Sequence, residues 1–304
     1  MNTGCHVMVL GGAGFIGRNL SRYLAQMGYK VSVFDLVVPE DKDPEIKYYA
    51  GNFFDDQTLE TLTDGQDIII HALSTVNPGN SNRNFMQGYT GDFIQTVKLF
   101  DPACRKDIRV IFLSSAGTVY GRYDGQPFSE RHALQPINHY GSVKVCVETA
   151  MRSFNEQQGG RLVSCRITNP YGPGQDYRKG VGFIEAVIRN SVNGTTLEIW
   201  GDGSVVRDYI YIPDLCAMME KLIHYEGEWH VFNISTGIGY SQKEILEIFR
   251  DLGINVAVKY TPARNVDART NIANNERILQ VSGIQCTPLR EGIKAYLTTL
   301  GILK

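Results

Sequence analysis

The feature that most limits what this chain can fold into is a glycine-rich turn, Gly11-Gly-Ala-Gly-Phe-Ile-Gly17, set between two apolar patterns of different period. His6 to Leu10 reads as a buried strand entering the turn. After Gly14, Ile16, Leu20, Leu24 and Met27 recur at helical spacing, and Gly28 follows as a stop. A strand, a tight turn and a helix in that order aim free backbone N–H groups and the positive helix end at one spot, a seat for a pyrophosphate. The spacing is Gly-x-x-Gly-x-x-Gly. A second strand, Val31 to Asp35, ends in a carboxylate about 20 residues on, where it can take ribose hydroxyls and repel a 2′-phosphate. The expected cofactor is NAD rather than NADP. A bare glycine turn with a surface aspartate is the competing reading; the acid at the end of a second strand argues against it.

Apolar patterns of both periods alternate through the first half. Ile46–Gly51, Asp67–Ala72, Arg109–Ser115 and Arg161–Ile167 read as further strands, with helices over Asp56–Leu62, Phe85–Phe100 and His139–Gln157. Alternation of this kind predicts an α/β fold with a doubly wound parallel sheet of Rossmann type. Ligands of such sheets bind beyond the carboxyl ends of the strands, which is where Ser114-Ser115 falls. After Asn169-Pro-Tyr-Gly-Pro173 the alternation breaks into mixed short strands and helices, among them 182–193, 214–225, 241–251 and 289–300. The expected organisation is a dinucleotide-binding domain over 1–170 and a smaller mixed α/β substrate lobe over 171–304, interleaved with the sheet.

Composition narrows the classes. Of 304 residues 43% are hydrophobic, and 30 basic side chains face 32 acidic ones with no basic run, so neither a nucleic-acid nor a membrane surface is expected. Cys5, Cys104, Cys146, Cys165, Cys216 and Cys286 are scattered without a Cys-x-x-Cys or Cys/His cluster, which predicts no disulfide framework and no metal site. Without a basic leader or a long apolar run, a cytoplasmic location is expected.

Tyr140 and Lys144 stand four residues apart in Tyr-Gly-Ser-Val-Lys. On a helix that spacing puts both on one face. A free tyrosine titrates near pH 10, so a base working near pH 7 needs a shift of roughly 3 units, about 4 kcal/mol. A neighbouring ammonium and an oxidised nicotinamide both favour the phenolate. Tyr-x-x-x-Lys is also a common accident of an exposed helix; here it follows a serine-ended strand in a dinucleotide fold.

Together with the glycine turn, Ser114-Ser-Ala-Gly-Thr-Val-Tyr-Gly121, Tyr140-x-x-x-Lys144, Arg166-Ile-Thr-Asn-Pro-Tyr-Gly172 and Val206-Arg-Asp-Tyr209 resemble the extended short-chain dehydrogenase/reductase family. Within it the chain is most similar to nucleotide-sugar epimerases of the UDP-galactose 4-epimerase type, from His6 to about Asp267. The resemblance implies that Gly11, Gly14, Phe15, Ile16 and Gly17 cradle the pyrophosphate and that Asp35 takes the ribose. It places Asn52 and Phe53 beside the adenine, and Ala72 and Leu73 under the cofactor. Tyr140 would be the base and acid, with Lys144 binding the nicotinamide ribose and lowering the tyrosine pKa. Asn169 would bind the sugar nucleotide, and Arg207 and Arg264 would grip its diphosphate with guanidinium forks. A homodimer is implied too, with Val143, Val147, Ala150, Met151 and Phe154 offering more apolar surface than one sheet-facing stripe requires.

The chain departs from the family at Ala116, where the catalytic Ser/Thr falls. Ser115 or Thr118 would supply the missing hydroxyl, with Ser115 the nearer at the strand end. Sugar 4,6-dehydratases of the family carry an Asp-Glu pair next; here Gly117 and Thr118 stand there, which leaves no acid/base pair for water loss. The implied activity is NAD-dependent epimerisation at C4 of a UDP-hexose through a 4-keto sugar. The alternatives are a sugar-nucleotide reductase or dehydrogenase, or a non-catalytic NAD-binding regulator. A gate for N-acetyl groups, four residues beyond the aspartate after the diphosphate arginine, falls on Asn271, with Thr270 or Ile272 as the alternatives.

Overall fold

The computed structural model describes residues 4–122, 127–179, 181–263 and 268–303. β1 (His6–Leu10) enters the glycine turn and α1 (Phe15–Gln26) leaves it, followed by β2 (Lys30–Asp35), β3 (Lys47–Ala50), α2 (Asp56–Thr63) and β4 (Ile68–His71). Then come α3 (Ile94–Arg105), β5 (Arg109–Ser115), the single turn α4 (Ala116–Val119), α5 (His139–Gln158) and β6 (Leu162–Ile167). The second half holds β7 (Asn169–Tyr171), α6 (Phe183–Asn193), β8 (Leu197–Trp200), β9 (Val206–Tyr211), α7 (Ile212–Ile223) and β10 (Val231–Ile234). It closes with β11 (Gly239–Ser241), α8 (Gln242–Asp251), β12 (Val258–Thr261), β13 (Thr270–Asn271), α9 (Glu276–Ser282) and α10 (Leu289–Thr299).

Seven parallel strands form the main sheet in the order β10-β6-β5-β4-β1-β2-β3. Its strands are β-branched and apolar on both faces because helices cover both. Alternate residues serve opposite sides. Val7, Val9, Val31, Val33 and Ile70 pack against Leu20 and Leu24 of α1 and Leu215 and Met219 of α7. Met8, Leu10, Phe34, Ile69 and Phe112 pack against Leu99 and Phe100 of α3 and Val147 and Met151 of α5. The chain winds outward in both directions from β1 and β4, and the crevice at this switch point receives the glycine turn. The doubly wound fold expected from the alternation is present.

Two local readings change. The seventh strand, β10, comes from beyond the break at residue 170 and pairs with β6; its four residues, interrupted by Asn233, make too short a pattern to stand out. Before α3 the chain runs as a π-helix over Gln87–Phe93, and α3 continues to Arg105 past Pro102. The smaller lobe is a sheet of β11-β9-β13, with β7 beside β9, and the β12-β8 pair, packed around Ile184, Ile188, Phe249 and Tyr296 from α6, α8 and α10.

The five apolar residues of α5 are all used within the chain. Val143, Val147 and Met151 are buried, and Ala150 and Phe154, partly buried, lie against the core, so most of the apolar stripe inferred from the sequence packs within the chain. Among the described residues no helix is long and apolar enough to cross a membrane.

Candidate active site

The glycine turn is shaped by close approaches. Gly11 has φ +81°, and a Cβ there would stand 2.7 Å from the Leu73 amide nitrogen and 2.9 Å from the Ala72 carbonyl carbon. A Cβ on Gly17 would enter the Gly11 carbonyl oxygen and lie 2.8 Å from Gly12 Cα. Gly14 has more room, its nearest neighbour being the Gly11 oxygen at 3.3 Å. Gly14 is also the N-cap of α1 and supplies no side-chain cap, so the first N–H groups of the helix stay available at a bare backbone surface. Phe15 and Ile16, in the first turn, pack back onto the core. Such a surface fits a pyrophosphate.

Asp35 ties this turn to the end of β2: one carboxylate oxygen accepts the Ala13 N–H at 3.0 Å and the other the Leu36 N–H at 2.7 Å. Beyond it Leu36 and Val37 are 69% and 66% exposed, an apolar platform of the kind an adenine covers. Asn52 accepts the Phe54 N–H at 3.1 Å. Phe53 is 2% exposed, with its ring edge-on to His71 at 5.2 Å, so its side chain belongs to the core. Ala72 extends β4 by donating to the Leu10 carbonyl at 2.9 Å.

Tyr140 and Lys144 lie on one face of α5, at the carboxyl edge of β5. Asn138 caps the helix by accepting the Gly141 N–H at 2.8 Å. Gly141 is required there because a Cβ would come within 2.5 Å of the Thr118 carbonyl oxygen, so α5 starts in contact with α4. The Lys144 ammonium donates to the Leu113 carbonyl at 2.9 Å and sits over the rings of Phe112 and Tyr140, 4.5 and 5.3 Å from their centroids. Burial pulls Lys144 down to about 8, against the opposing pull of the Asp92 and Glu148 carboxylates. Burial first, and then Asp92, push the Tyr140 phenol up to about 12. The expectation of a phenol lowered by Lys144 does not hold for the protein alone, because desolvation outweighs an ammonium that lies over the ring rather than at the hydroxyl.

Two carboxylates of this site carry no recognisable sequence signal of their role. Asp92, in the π-helix, accepts from the Thr75 hydroxyl at 2.6 Å, the Ser74 hydroxyl at 2.8 Å and the Thr75 N–H at 2.9 Å. Glu148, one turn beyond Lys144, is gripped by Arg166 through Nε at 3.0 Å and Nη2 at 2.6 Å, and Ser114 donates to it as well. Arg166 also donates to the Tyr120 hydroxyl, which donates to Asn233. This buried network pins α5 to the ends of β5, β6 and β10.

Ala116 is fully buried. Of the two hydroxyls near it, Thr118 is buried and turned to the Ser115 carbonyl at 3.5 Å, whereas Ser115 Oγ has no partner among the described residues. Asn271 reaches the same turn, its side-chain amide donating to the Ala116 carbonyl at 3.3 Å. Asn271 is 1% exposed, and its Oδ1 is buried without a partner.

Asn169 and Arg207 stand in the wall of a cavity of about 700 Å³ with Glu185, Arg189, Trp200 and Tyr209. Asn169 donates to the Asp208 carbonyl at 2.7 Å and Arg207 to the Val206 carbonyl at 2.8 Å. Arg264, the second expected diphosphate ligand, and Asp267 lie outside the described residues. Among the described residues no group of His, Cys, Asp and Glu is placed to hold a metal ion.

A bare helix end beside an acid-ended strand, with a Tyr/Lys pair at the carboxyl edge of the same sheet, defines a dinucleotide-dependent enzyme of the extended short-chain dehydrogenase/reductase class. The family model described as the NAD dependent epimerase/dehydratase family matches residues 7–235. The chain is 33% identical over 256 residues, 79% of each chain, to a dTDP-4-dehydro-6-deoxyglucose reductase of Escherichia coli. It is 28% identical to a UDP-glucose 4-epimerase of Halalkalibacterium halodurans, with 91% of this chain and 89% of that one covered. The crystal structure of a UDP-glucose 4-epimerase from Thermotoga maritima with UDP-glucose shares the fold at a TM-score of 0.91 and 26% identity, covering 97% and 98% of the two chains. The chain belongs to the NAD-dependent epimerase/dehydratase family, and NAD is its cofactor.

Proposed function

We propose that the chain interconverts C4 epimers of a UDP-hexose, UDP-glucose/UDP-galactose or their N-acetylamino forms. The observation that carries this reading is the placement of Tyr140 and Lys144 on one face of α5, beside a backbone seat shaped for the pyrophosphate. NAD, when bound, supplies the hydride acceptor and donor at C4. Tyr140 takes the proton of the C4 hydroxyl and later returns it. Lys144 holds the cofactor ribose and offsets the phenolate charge, while Ser115, whose hydroxyl is uncommitted, steadies the C4 oxygen. Asn169 binds the sugar nucleotide, and Arg207 and Arg264 hold its diphosphate while the keto sugar turns over. Gly11, Gly14, Phe15, Ile16, Gly17, Asp35, Asn52, Ala72 and Leu73 form the cofactor seat, to which Phe53, its side chain in the core, offers only main chain.

Gly117 and Thr118 offer no acid/base pair, which favours epimerisation over dehydration. The buried Oδ1 of Asn271 is an acceptor suited to an acetamido N–H, which favours N-acetylated sugars among the substrates. A homodimer is part of the proposal; Phe85, Met86 and Ile94, exposed around the π-helix and α3, offer it an apolar face. Light scattering giving a monomer mass would remove that part.

A second reading, a one-way reductase of a keto sugar nucleotide, is favoured by the name of the Escherichia coli relative. A panel of UDP-, TDP- and GDP-sugars incubated with protein purified without added cofactor separates the two. Conversion between epimers with no cofactor consumed supports the proposal. Product formation that requires added reduced cofactor supports the reductase.

A further inference from the structure

Two side chains lining the cavity that holds Asn169 and Arg207, Glu185 and Gln242, have a buried oxygen without a hydrogen-bond partner, and Glu185 is the titratable one. Glu185, in the first turn of α6, is 1% exposed, lines this cavity, and has an Oε1 that is buried without a hydrogen-bond partner. Its other oxygen lies against Gly182, close enough to collide with a Cβ placed there. A buried carboxyl that makes so few bonds costs stability, so its presence in a ligand cavity calls for a use. Burial pushes the Glu185 carboxyl up to about 8, only partly opposed by its own backbone N–H, so near neutral pH it retains its proton and is a donor.

We propose that Glu185 is a specificity residue of this cavity, donating a hydrogen bond to a carbonyl oxygen of the bound sugar nucleotide. The inference rests on the sugar-nucleotide reading above. The cavity supplies the rest of a recognition site: Trp200 and Tyr209 as flat apolar surface, Arg189 and Arg207 as cations for the diphosphate. Two carbonyls of such a ligand qualify, one on the pyrimidine base and one on the acetamido group of an N-acetylated sugar. The competing use of the proton is internal: Gln175 also approaches Gly182, and its Oε1 is likewise buried without a partner.

Calorimetry with UDP, UDP-glucose, UDP-N-acetylglucosamine and ADP distinguishes these cases in the NAD-loaded protein and in Glu185→Leu and Glu185→Gln. Adenine has no ring carbonyl, so ADP reports the phosphate contacts alone. The proposal expects Glu185→Leu to weaken UDP binding about tenfold, the size of one lost hydrogen bond in a dry site, with ADP unchanged. Loss confined to UDP-N-acetylglucosamine identifies the acetamido carbonyl instead. Glu185→Gln, which keeps a donor, stays within about threefold, and Glu185→Leu melts no lower than the parent, since removing an unpaired buried polar group is not destabilising. Unchanged affinities in Glu185→Leu, or a lowered Tm with unchanged affinities as the Gln175 contact would give, overturn the proposal and leave the sugar-nucleotide reading intact. Parent protein that binds none of the uridine ligands overturns both.

Discussion

The ammonium of Lys144 stands 5.3 Å from the centroid of the Tyr140 ring and donates to the Leu113 carbonyl. Lysine and tyrosine are therefore stacked along one face of α5 rather than hydrogen-bonded to each other. The lysine is anchored to the end of β5 and kept charged by carboxylates on two other sides, Asp92 and Glu148. Glu148 is matched by Arg166; Asp92 receives only hydroxyl and amide donors among the described residues. On the proposed mechanism the pH range of the base therefore depends on Asp92, whose charge raises both Tyr140 and Lys144.

Asp92→Asn should move the pH profile of kcat/KM toward acid. The Asp92 charge raises both Tyr140 and Lys144, so removing it lowers both. Tyr140 must lose its proton to act as the base, so the acid limb moves to lower pH, by about one pH unit for a single nearby charge. The alkaline limb moves the same way as Lys144 gives up its proton earlier. Limbs that coincide with those of the parent would show that Asp92 acts only as a fastener of the Ser74–Thr75 segment.

Gly17→Ala and Gly14→Ala should behave differently toward NAD. At Gly17 the added carbon meets backbone on two sides, and at Gly14 it has near-contact room. Overpacking costs about 1–3 kcal/mol, which is tenfold to roughly a hundredfold in affinity where it falls on binding. Calorimetry should show that loss for Gly17→Ala, which must displace backbone, and a smaller one for Gly14→Ala, whose Cβ meets a single protein atom at 3.3 Å. Equal effects would mean that the turn is not the tight seat described.

The hydroxyl that stands in for the residue replaced by Ala116 should be that of Ser115. Ser115→Ala lowers kcat more than it raises KM, by something like 10²-fold, in the range of a positioned hydrogen-bond or proton-transfer group. Thr118→Val, whose hydroxyl is buried against backbone, leaves kcat within a few-fold and registers mainly in Tm. Kinetics that reverse this order would give the role to Thr118.

Much of this site was legible because its motifs are local. The glycine turn, the acid ending β2 and the four-residue step from Tyr140 to Lys144 each fix their own geometry through φ/ψ demands and helical periodicity. What was not legible depends on partners far along the chain. Asp92 meets Ser74 and Thr75 from within a π-helix, an element that 3.6-residue periodicity does not announce. β10 joins the sheet through pairing with β6, not through any pattern in its four residues. The apolar side chains of α5 gave no clue to whether another helix or another chain covers them, and α3 proves to cover Phe154. The raised phenol of Tyr140 follows from burial, which spacing does not report.

Asn271→Leu should lower kcat/KM for UDP-N-acetylglucosamine while sparing UDP-glucose. The replacement keeps the branching of the side chain at a buried position and removes both the unpartnered Oδ1 and the amide that donates to the Ala116 carbonyl. A lost hydrogen bond of about 1–2 kcal/mol predicts a drop of roughly fivefold to thirtyfold for the N-acetyl sugar alone. Parallel losses for both sugars would mean that Asn271 serves only to hold the Ala116 carbonyl.

On the proposed mechanism C4 is oxidised and reduced again at one site, with Tyr140 as the proton carrier. A UDP-hexose carrying deuterium at C4, incubated with protein to which no cofactor has been added, tests it in one NMR spectrum. The label should appear at C4 of the epimer, undiluted by solvent hydrogen, and Tyr140→Phe should slow its appearance by about 10²–10⁴-fold while still binding NAD. Label lost to water, label leaving with released cofactor, or a Tyr140→Phe variant as fast as the parent would contradict it.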